Sequence, residues 1–515
     1  MTENKDAIAV AKGEAASFQF VVRSTYPITG LKVEAASLSN GNNNIPLDFK
    51  AFVGYVDVKP NHFSPIPSKD KIVSVSGFYP DPLLEVETKD VPPSVNQTLW
   101  INYKVPRDAV EGTYTADVVI TGEKNGMKFC ITRQITAKVY PVTLPEQTLF
   151  VSNWLNNHLQ YLNNNTSVPE EGHKLELYKV IANKMRDYGQ NMYMVGRPIN
   201  DCKFTRNHTG NSNPTTEFTF DFSWFDKKIE LFIREGNMKR IEGEHIAYRL
   251  SGWYDPFGVQ VPYSPTVVIP FDATTRNFLD QFIPALYNHL KEKGWDKIYY
   301  QHIADEPGTR ESASSYNQIA AYVKQLAPEL KIIEATHSTK EVCQSIDVIV
   351  PMLDYFHQDY SFYKTQQNAG KELWFYTCME PVGNYANRFL ELPLIQTRIL
   401  HWINYRYNAT GYLHWGLDSW RTFNWETGYV DWGGNLPAGD AWIIYPAYNK
   451  VYSSIRLEAM RDGINDYELL KLLESKNPAR AKELAEGVVM NFDSYDSRIT
   501  AFRERRVKLL QWLSE

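Results

Sequence analysis

Polar and apolar residues alternate in short runs over residues 1 to about 145, as in "ASFQFVVRS", "GLKVEAASL", "LDFKAFVGYVDV", "TLWINYKV", "GTYTADVVITG" and "KFCITRQITAKVY". A period of two turns one face of an extended chain to a core and the other to water, and Pro, Gly and Asn interrupt the runs where turns belong. The pattern predicts an N-terminal antiparallel β-sandwich over residues 1–145, followed by "PVTLPEQT" as a linker.

From about 149 to 420 short apolar runs alternate with amphipathic segments of a dozen or more residues. Eight runs read as strands: "LFVSNWL", "NMYMVGRP", "EHIAYRLSGW", "KIYYQHIADEP", "KIIEATHS", "DVIVPMLDYF", "LWFYTCMEP" and "GYLHWGL". Between several of them stand segments with helical spacing, such as "KLELYKVIANKMRDYG", "TTRNFLDQFIPALYNHLKEKG" and "ESASSYNQIAAYVKQLAP". Strands each followed by a helix or an irregular substitute predict a central (β/α)8 TIM-like barrel, assigned to residues 149–446, and about 270 residues suits that fold. An open doubly wound sheet is the alternative, but no G-x-G-x-x-G turn follows a strand. Residues 447–515, with "YSSIRLEAMRDGINDYELLKLLESK", predict a C-terminal helical cap. Its charges Arg456, Glu458, Arg461, Asp462, Asp466 and Glu468 stand at helical spacings that favour ion pairs, which reads as docking against the barrel.

In such a barrel the C-terminal strand ends face the functional mouth. That rule selects Asn153 and Trp154, Arg197, Trp253 and Asp255, Asp305 and Glu306, then His337, Asp354, Glu380 and the cluster Trp415, Asp418 and Trp420.

The formal net charge is −6, and no block of like charges offers a footprint for nucleic acid or an anionic membrane. No apolar segment approaches the roughly 18 residues of a membrane span. The start, "MTENKDAIAV", lacks the basic region and apolar core of a signal peptide, so a periplasmic or secreted form implies a signal already removed. Cys130, Cys202, Cys343 and Cys378 lie far apart, which points to isolated thiols rather than a zinc site or a disulfide framework. Aromatic residues make up 14% of the chain, and several fall in loop-like stretches such as "SGWYDPFG" and "HWGLDSWRTFNWETGYVDWGG". Trp253, Trp420, Trp425 and Trp432 stand there among Gly, Asp and Asn, where flat rings can stack on the apolar faces of sugars.

Carboxylates dominate the strand-end residues, and no Gly-x-Ser-x-Gly turn occurs. Carboxylates in an aromatic cleft imply glycoside hydrolysis: one acid protonates the leaving oxygen while a second group stabilises charge at the anomeric carbon. The pair Asp305-Glu306 in "YQHIADEPG" supplies both, although Asp and Glu before a helix also serve as caps. Glu306 with Glu380, in "YTCMEPVG", is the competing pair for a conventional retaining mechanism.

The stretches "HIADEPG", "GYLHWGLDSW" and above all "SSIRLEAMRDGINDYELLKLL" resemble glycoside hydrolase family 123, and the similarity extends back to "AKGEAASFQFVV". The resemblance implies a β-N-acetylgalactosaminidase, or more broadly a β-N-acetylhexosaminidase, with a β-sandwich before a (β/α)8 barrel and neither metal nor other cofactor. It places catalysis on Asp305 and Glu306. The substrate's 2-acetamido oxygen attacks the anomeric carbon, Asp305 orients the amide and Glu306 acts as acid and then base. Tyr376, Trp415 and Trp420 are the candidate contacts to the acetamido group and the sugar ring. Glu380, Asp354, Arg197, His337, Trp253 and Asn153 complete the expected substrate site. The expected partner is a glycan carrying a β-linked N-acetylhexosamine, with neither nucleic acid nor a membrane span involved. A conventional retaining β-glycosidase using Glu306 and Glu380, and a carbohydrate-binding protein without turnover, are the alternatives.

Overall fold

The N-terminal alternation is realised as two sheets. The structure, a computed structural model, describes residues 7–72, 75–156, 159–163, 170–196, 198–206, 216–259, 261, 271–420 and 436–515. One sheet runs Ile8–Lys12, Met127–Thr143, Gly112–Lys124, Ile28–Ala35, Lys89–Val91; the other runs Ala15–Val22, Gln97–Lys104, Phe49–Val58, Gly77–Leu84. In Gly112–Lys124, Tyr114, Ala116, Val118 and Ile120 are buried while Thr113 and Asp117 are exposed, which is the period-two pattern in space. Asn125 and Gly126, both at positive φ, turn that strand into its partner. The sheets are linked by the Tyr103 hydroxyl donating to the Ala36 carbonyl at 2.6 Å and by Lys50 Nζ reaching the Val33 carbonyl. One pairing departs from the antiparallel expectation: Ile8–Lys12 runs parallel to Met127–Thr143.

These sheets belong to a compact unit made of Met1–Thr148, Val382–Arg406 and Trp420–Glu515. Its last part holds the helices Ile455–Lys476, Pro478–Val488 and Ile499–Ser514. The charges of the first of these are largely buried and face partners outside the helix. Arg456 pairs with Asp81 at 2.8 Å, and Asp466 pairs with Arg398 at 2.6 Å and Arg506 at 2.6 Å. Glu468 accepts the Thr148 N–H and hydroxyl. Arg461 with Glu458 and Lys471 with Glu474 are i,i+3 pairs along the helix. The cluster therefore ties the terminal helices to the N-terminal sheets as well as to the helix Leu394–Arg406, which lies within residues 149–446. Gly463 makes this packing possible, because a Cβ there would lie 2.6 Å from the Arg398 carbonyl oxygen.

The second unit, Leu149–Pro381 with Tyr407–Ser419, is built on parallel strands. They are β1 (Phe150–Asn153), β2 (Met192–Gly196), β3 (Arg240–Gly243), β4 (Tyr299–Gln301), β5 (Lys331–Thr336), β6 (Val348–Pro351), β7 (Glu372–Leu373 and Phe375–Tyr376) and β8 (Gly411–His414). Pairing runs β2-β3-β4-β5-β6-β7 and continues β7-β8-β1. Between β1 and β2, the Asn191 N–H reaches the Val151 carbonyl and its side chain bonds Val151 and Leu149. Each strand thus has a bonded neighbour on both sides. Helices such as Glu171–Asp187, Ser223–Glu235, Ala273–Glu292 and Arg310–Leu326 separate the strands. Met192, Tyr300, Ile333, Val350, Trp374 and Leu413 meet in one apolar cluster.

The third strand is not the predicted one. Within "EHIAYRLSGW", Ala247–Arg249 forms a short antiparallel pair with Phe257–Val259, and the parallel strand is the preceding "RIEG". Its two charges hid it. The Arg240 guanidinium lies 3.5 Å from the Phe150 ring centroid and 4.6 Å from that of Tyr300, while Glu242 points into a buried polar network.

Candidate active site

β4 ends at Gln301, and the chain runs on through the fully buried His302, Ile303 and Ala304 before Asp305 and Glu306. One oxygen of Glu334, from β5, accepts the N–H groups of Ile303 at 2.8 Å and Ala304 at 3.0 Å. The backbone then bends at Glu306 itself, which has a φ of 47°, a conformation that costs a non-glycine residue roughly 1 kcal/mol or more. Arg249 donates to the Glu306 carbonyl at 2.9 Å and holds that bend. This is how two adjacent side chains escape the opposite directions a strand would impose. The cap of the next helix is Thr309, whose hydroxyl accepts the Ser312 N–H, so the acid pair is not spent on capping.

The Glu306 carboxyl takes a hydrogen bond from the Tyr376 hydroxyl at the end of β7. Burial and the adjacent Asp305 charge push its pKa up to about 8, against the opposing pull of the Tyr376 bond and Arg249, and Glu380 adds to the rise. Glu306 is therefore an acid that keeps its proton near neutral pH. Tyr376 was expected to meet the substrate; it meets Glu306.

Asp305 lines a cleft of about 320 Å3 together with Trp154, His245, Tyr248, Arg249 and Trp253. Trp253 is 53% exposed, and the Arg249 guanidinium sits 3.8 Å from its ring centroid. A half-open indole beside a carboxyl pair is suited to the apolar face of a sugar. Tyr248 and Arg249 were missed in the sequence because they sit in the segment read as the third strand.

Glu380 is exposed, and its charge acts on Glu306, Asp354 and His337, so these groups share one electrostatic neighbourhood. Burial raises the Asp354 pKa and lowers that of His337, whose ring centroid lies 4.7 Å from that of Tyr355. Asn153 is buried at the end of β1 with its amide on Gln190 at 3.1 Å, and the Trp415 carbonyl accepts from Asn156 at 3.0 Å, while Asp418 takes the Asn156 N–H. Trp420 is a correction. It is only 2% exposed and its ring N–H is bonded to the Ile444 carbonyl, so it offers no face to a sugar. Arg197, Trp425 and Trp432 lie outside the described residues.

Behind the cleft, His302 lies between two buried carboxylates, with Nε2 2.7 Å from Glu242 and Nδ1 2.7 Å from Glu334. Among the described residues, His245, His302 and Glu334 bring three potential metal-ligand atoms within 4.8 Å of one another. Both His302 nitrogens are already committed to these carboxylates.

Residues 154–473 match the family model of the glycoside hydrolase 123 catalytic domain, and residues 2–122 match that of the glycoside hydrolase 123 N-terminal domain. No protein of curated function matches the chain. Among solved structures, a family 123 glycoside hydrolase from Clostridium perfringens, described for glycolipid glycan hydrolysis, is similar at 18% identity with a TM-score of 0.74, covering 100% of this chain and 93% of that one. A glycosyl hydrolase family 2 member from Bacteroides cellulosilyticus (11% identity, TM-score 0.29, covering 79% and 44%) and a β-D-glucuronidase of Dictyoglomus thermophilum (11%, 0.34, 85% and 68%) are too distant in fold to bear on the site. With its catalytic-domain match covering well over half its length, from Trp154 beside the cleft through Asp305 and Glu306 to the terminal helices, the chain belongs to glycoside hydrolase family 123.

Proposed function

We propose that the protein is a retaining β-N-acetylgalactosaminidase, or β-N-acetylhexosaminidase more broadly, that uses the substrate's own acetamido group as nucleophile. The observation that carries this reading is the Asp305-Glu306 pair: Glu306 holds a proton to about pH 8, and Asp305 faces the cleft. In the first step the acetamido oxygen bonds to the anomeric carbon, the glycosidic C–O bond breaks, and Glu306 gives its proton to the leaving oxygen. Asp305 accepts the acetamido N–H and stabilises the positive charge on the resulting oxazolinium ring. Water then adds to the anomeric carbon from the vacated face as Glu306 takes its proton, the bond from that carbon to the acetamido oxygen breaks to restore the acetamido group, and configuration is retained. The substrate is a glycan carrying a β-linked N-acetylhexosamine.

The round of pairings, with a bonded neighbour on each side of every strand from β1 to β8, supports a (β/α)8 barrel over 149–446 rather than an open sheet. On this reading 1–145 is a β-sandwich and 447–515 a helical cap, and β4 and β7 deliver Glu306 and Tyr376 to one barrel mouth.

One observation favours a second reading, a conventional β-glycosidase with Glu380 as nucleophile: the Glu380 charge is felt at Glu306. Turnover of a matched pair, an aryl β-N-acetylgalactosaminide and the aryl β-galactoside, tests the choice. Cleavage of the first alone is the expected result, and equal cleavage of both overturns the acetamido mechanism.

A further inference from the structure

The buried network behind the cleft has more order than a filler of core space needs. Glu242 on β3, His302 after β4 and Glu334 on β5 are each 0% exposed. Both ring nitrogens of His302 face carboxyl oxygens at 2.7 Å, and between two ionised carboxylates, which only accept, the ring donates twice. The far oxygen of Glu334 holds the Ile303 and Ala304 N–H groups, the peptides immediately before Asp305. At the other end, Glu242 accepts the Trp154 ring N–H at 2.6 Å and the Ser152 hydroxyl, and Trp154 lines the cleft.

We propose that Glu242, His302 and Glu334 are positioning residues, a charged clamp that fixes the Asp305-Glu306 turn and the Trp154 wall of the cleft in one arrangement. Hydrogen bonds run without a break from the cleft wall to the Ile303 and Ala304 N–H groups, and the backbone carries the clamp on to the acid pair. Burial opposes charge on His302, but the two carboxylates override it and raise its pKa to about 10, while Glu334 is drawn down to about 2 by His302 and His245 despite its own burial. An imidazolium between two carboxylates is rigid in a way a neutral core is not, since neither proton has another acceptor to turn to. The bend at Glu306 needs such support, because its φ of 47° relaxes once the preceding peptides are free to move.

This inference rests on the reading of Glu306 as the acid, and the test separates the two. Glu334→Gln keeps the side-chain shape and removes the charge. On an aryl β-N-acetylgalactosaminide its kcat is expected to fall roughly 10- to 100-fold with KM within about twofold, as misplacement of a reacting group does. Combined with Glu306→Gln its loss is expected to be much smaller than in the wild-type background, since part of what Glu334 positions is already gone. Activity of Glu306→Gln itself at the wild-type level overturns the acid reading. An inactive Glu306→Gln beside a Glu334→Gln with wild-type kcat, or losses that multiply in the double variant, overturns the clamp alone. Where Glu334→Gln does not fold, neutron diffraction on the unmodified protein at pH 8 decides. Deuterium on both His302 nitrogens is expected, and a bare Nδ1 or Nε2 refutes the clamp.

Discussion

The Tyr376 hydroxyl donates to Oε1 of Glu306, joining the end of β7 to the turn after β4. The bond favours the ionised carboxylate and so opposes burial and the Asp305 charge, which favour the protonated form. Glu306 must be protonated to act as an acid, so kcat/KM is expected to fall as pH rises through about 8. Tyr376→Phe removes the restraint on the rise, and the alkaline limb should move to higher pH while the plateau drops roughly tenfold. Limbs that coincide, or a limb displaced to lower pH, count against the assignment.

Glu306→Gln should separate activity from stability. Loss of acid catalysis is worth roughly 10²- to 10⁴-fold, and less on aryl glycosides with good leaving groups. The folded-state pKa of Glu306 lies above its ordinary value, so between about 4.5 and 8 the folded protein holds a proton that the unfolded chain has released. Stability contributed by this group is complete below that window and declines as pH rises through it. Gln removes the decline, and a gain of about 1 kcal/mol at pH 8 is expected, read as a higher Tm than wild type at pH 8 with the difference vanishing near pH 4. A Tm advantage that grows toward acid pH would contradict the sign.

Asp305→Asn tests the other half of the pair. In the proposed mechanism the carboxylate acts on charge that develops in the transition state, so kcat is expected to fall by roughly 10²-fold or more while KM changes little. The loss should persist on substrates with activated leaving groups, where that of Glu306→Gln shrinks. Wild-type turnover of Asp305→Asn on an acetamido sugar would remove this residue from the mechanism.

The contrast between β3 and β4 shows what was legible in the sequence. "KIYYQHIADEP" is an apolar run that ends in carboxylates, so both the strand and the pair at its end could be read from it. "RIEG" has a half-buried Arg240 stacked on rings from β1 and β4 and a buried Glu242 bonded to residues of β1 and the β4 end, and none of those partners is near in sequence. Binary patterning treats such charges as solvent-facing. Trp420 fails in the opposite way. Flanked by Ser419 and Asp418 it looks like a loop aromatic, but Ser419 and Asp418 are themselves buried. Arg249 and Glu334, which hold the acid turn from 57 residues upstream and about 30 downstream, needed the fold to be seen.

Gly463 is a packing requirement outside the acid site. The helix Ile455–Lys476 approaches Leu394–Arg406 so closely there that any Cβ would lie 2.6 Å from the Arg398 carbonyl oxygen and 2.9 Å from the His401 ring. The intrinsic helix preference of Ala over Gly, about 1 kcal/mol, would favour Gly463→Ala, but overpacking against backbone costs roughly 1–3 kcal/mol and should win. A lower urea midpoint with unchanged KM is expected, and a higher midpoint would show that the helices can part without cost.

The last prediction turns on Glu380, because the two enzyme readings give it opposite roles. If the acetamido oxygen is the nucleophile, it is held beside the anomeric carbon with an effective molarity of roughly 10⁵ M or more, and the protein needs no second nucleophile. Glu380→Gln should then leave kcat on an aryl β-N-acetylgalactosaminide within about tenfold of wild type. Its charge also helps to raise the Glu306 pKa, so its removal should shift the alkaline limb of kcat/KM downward, the reverse of Tyr376→Phe. A thiazoline that mimics the cyclic intermediate should bind the wild-type protein much more tightly than the free sugar, as ligands resembling the transition state do. Under the conventional mechanism the same variant loses its nucleophile and becomes nearly inactive, the thiazoline gains nothing over the sugar, and a glycosyl ester accumulates on Glu380 when the second step is slowed. Mass spectrometry of the quenched reaction detects that ester directly, and its appearance on Glu380 would replace the acetamido mechanism with the conventional one.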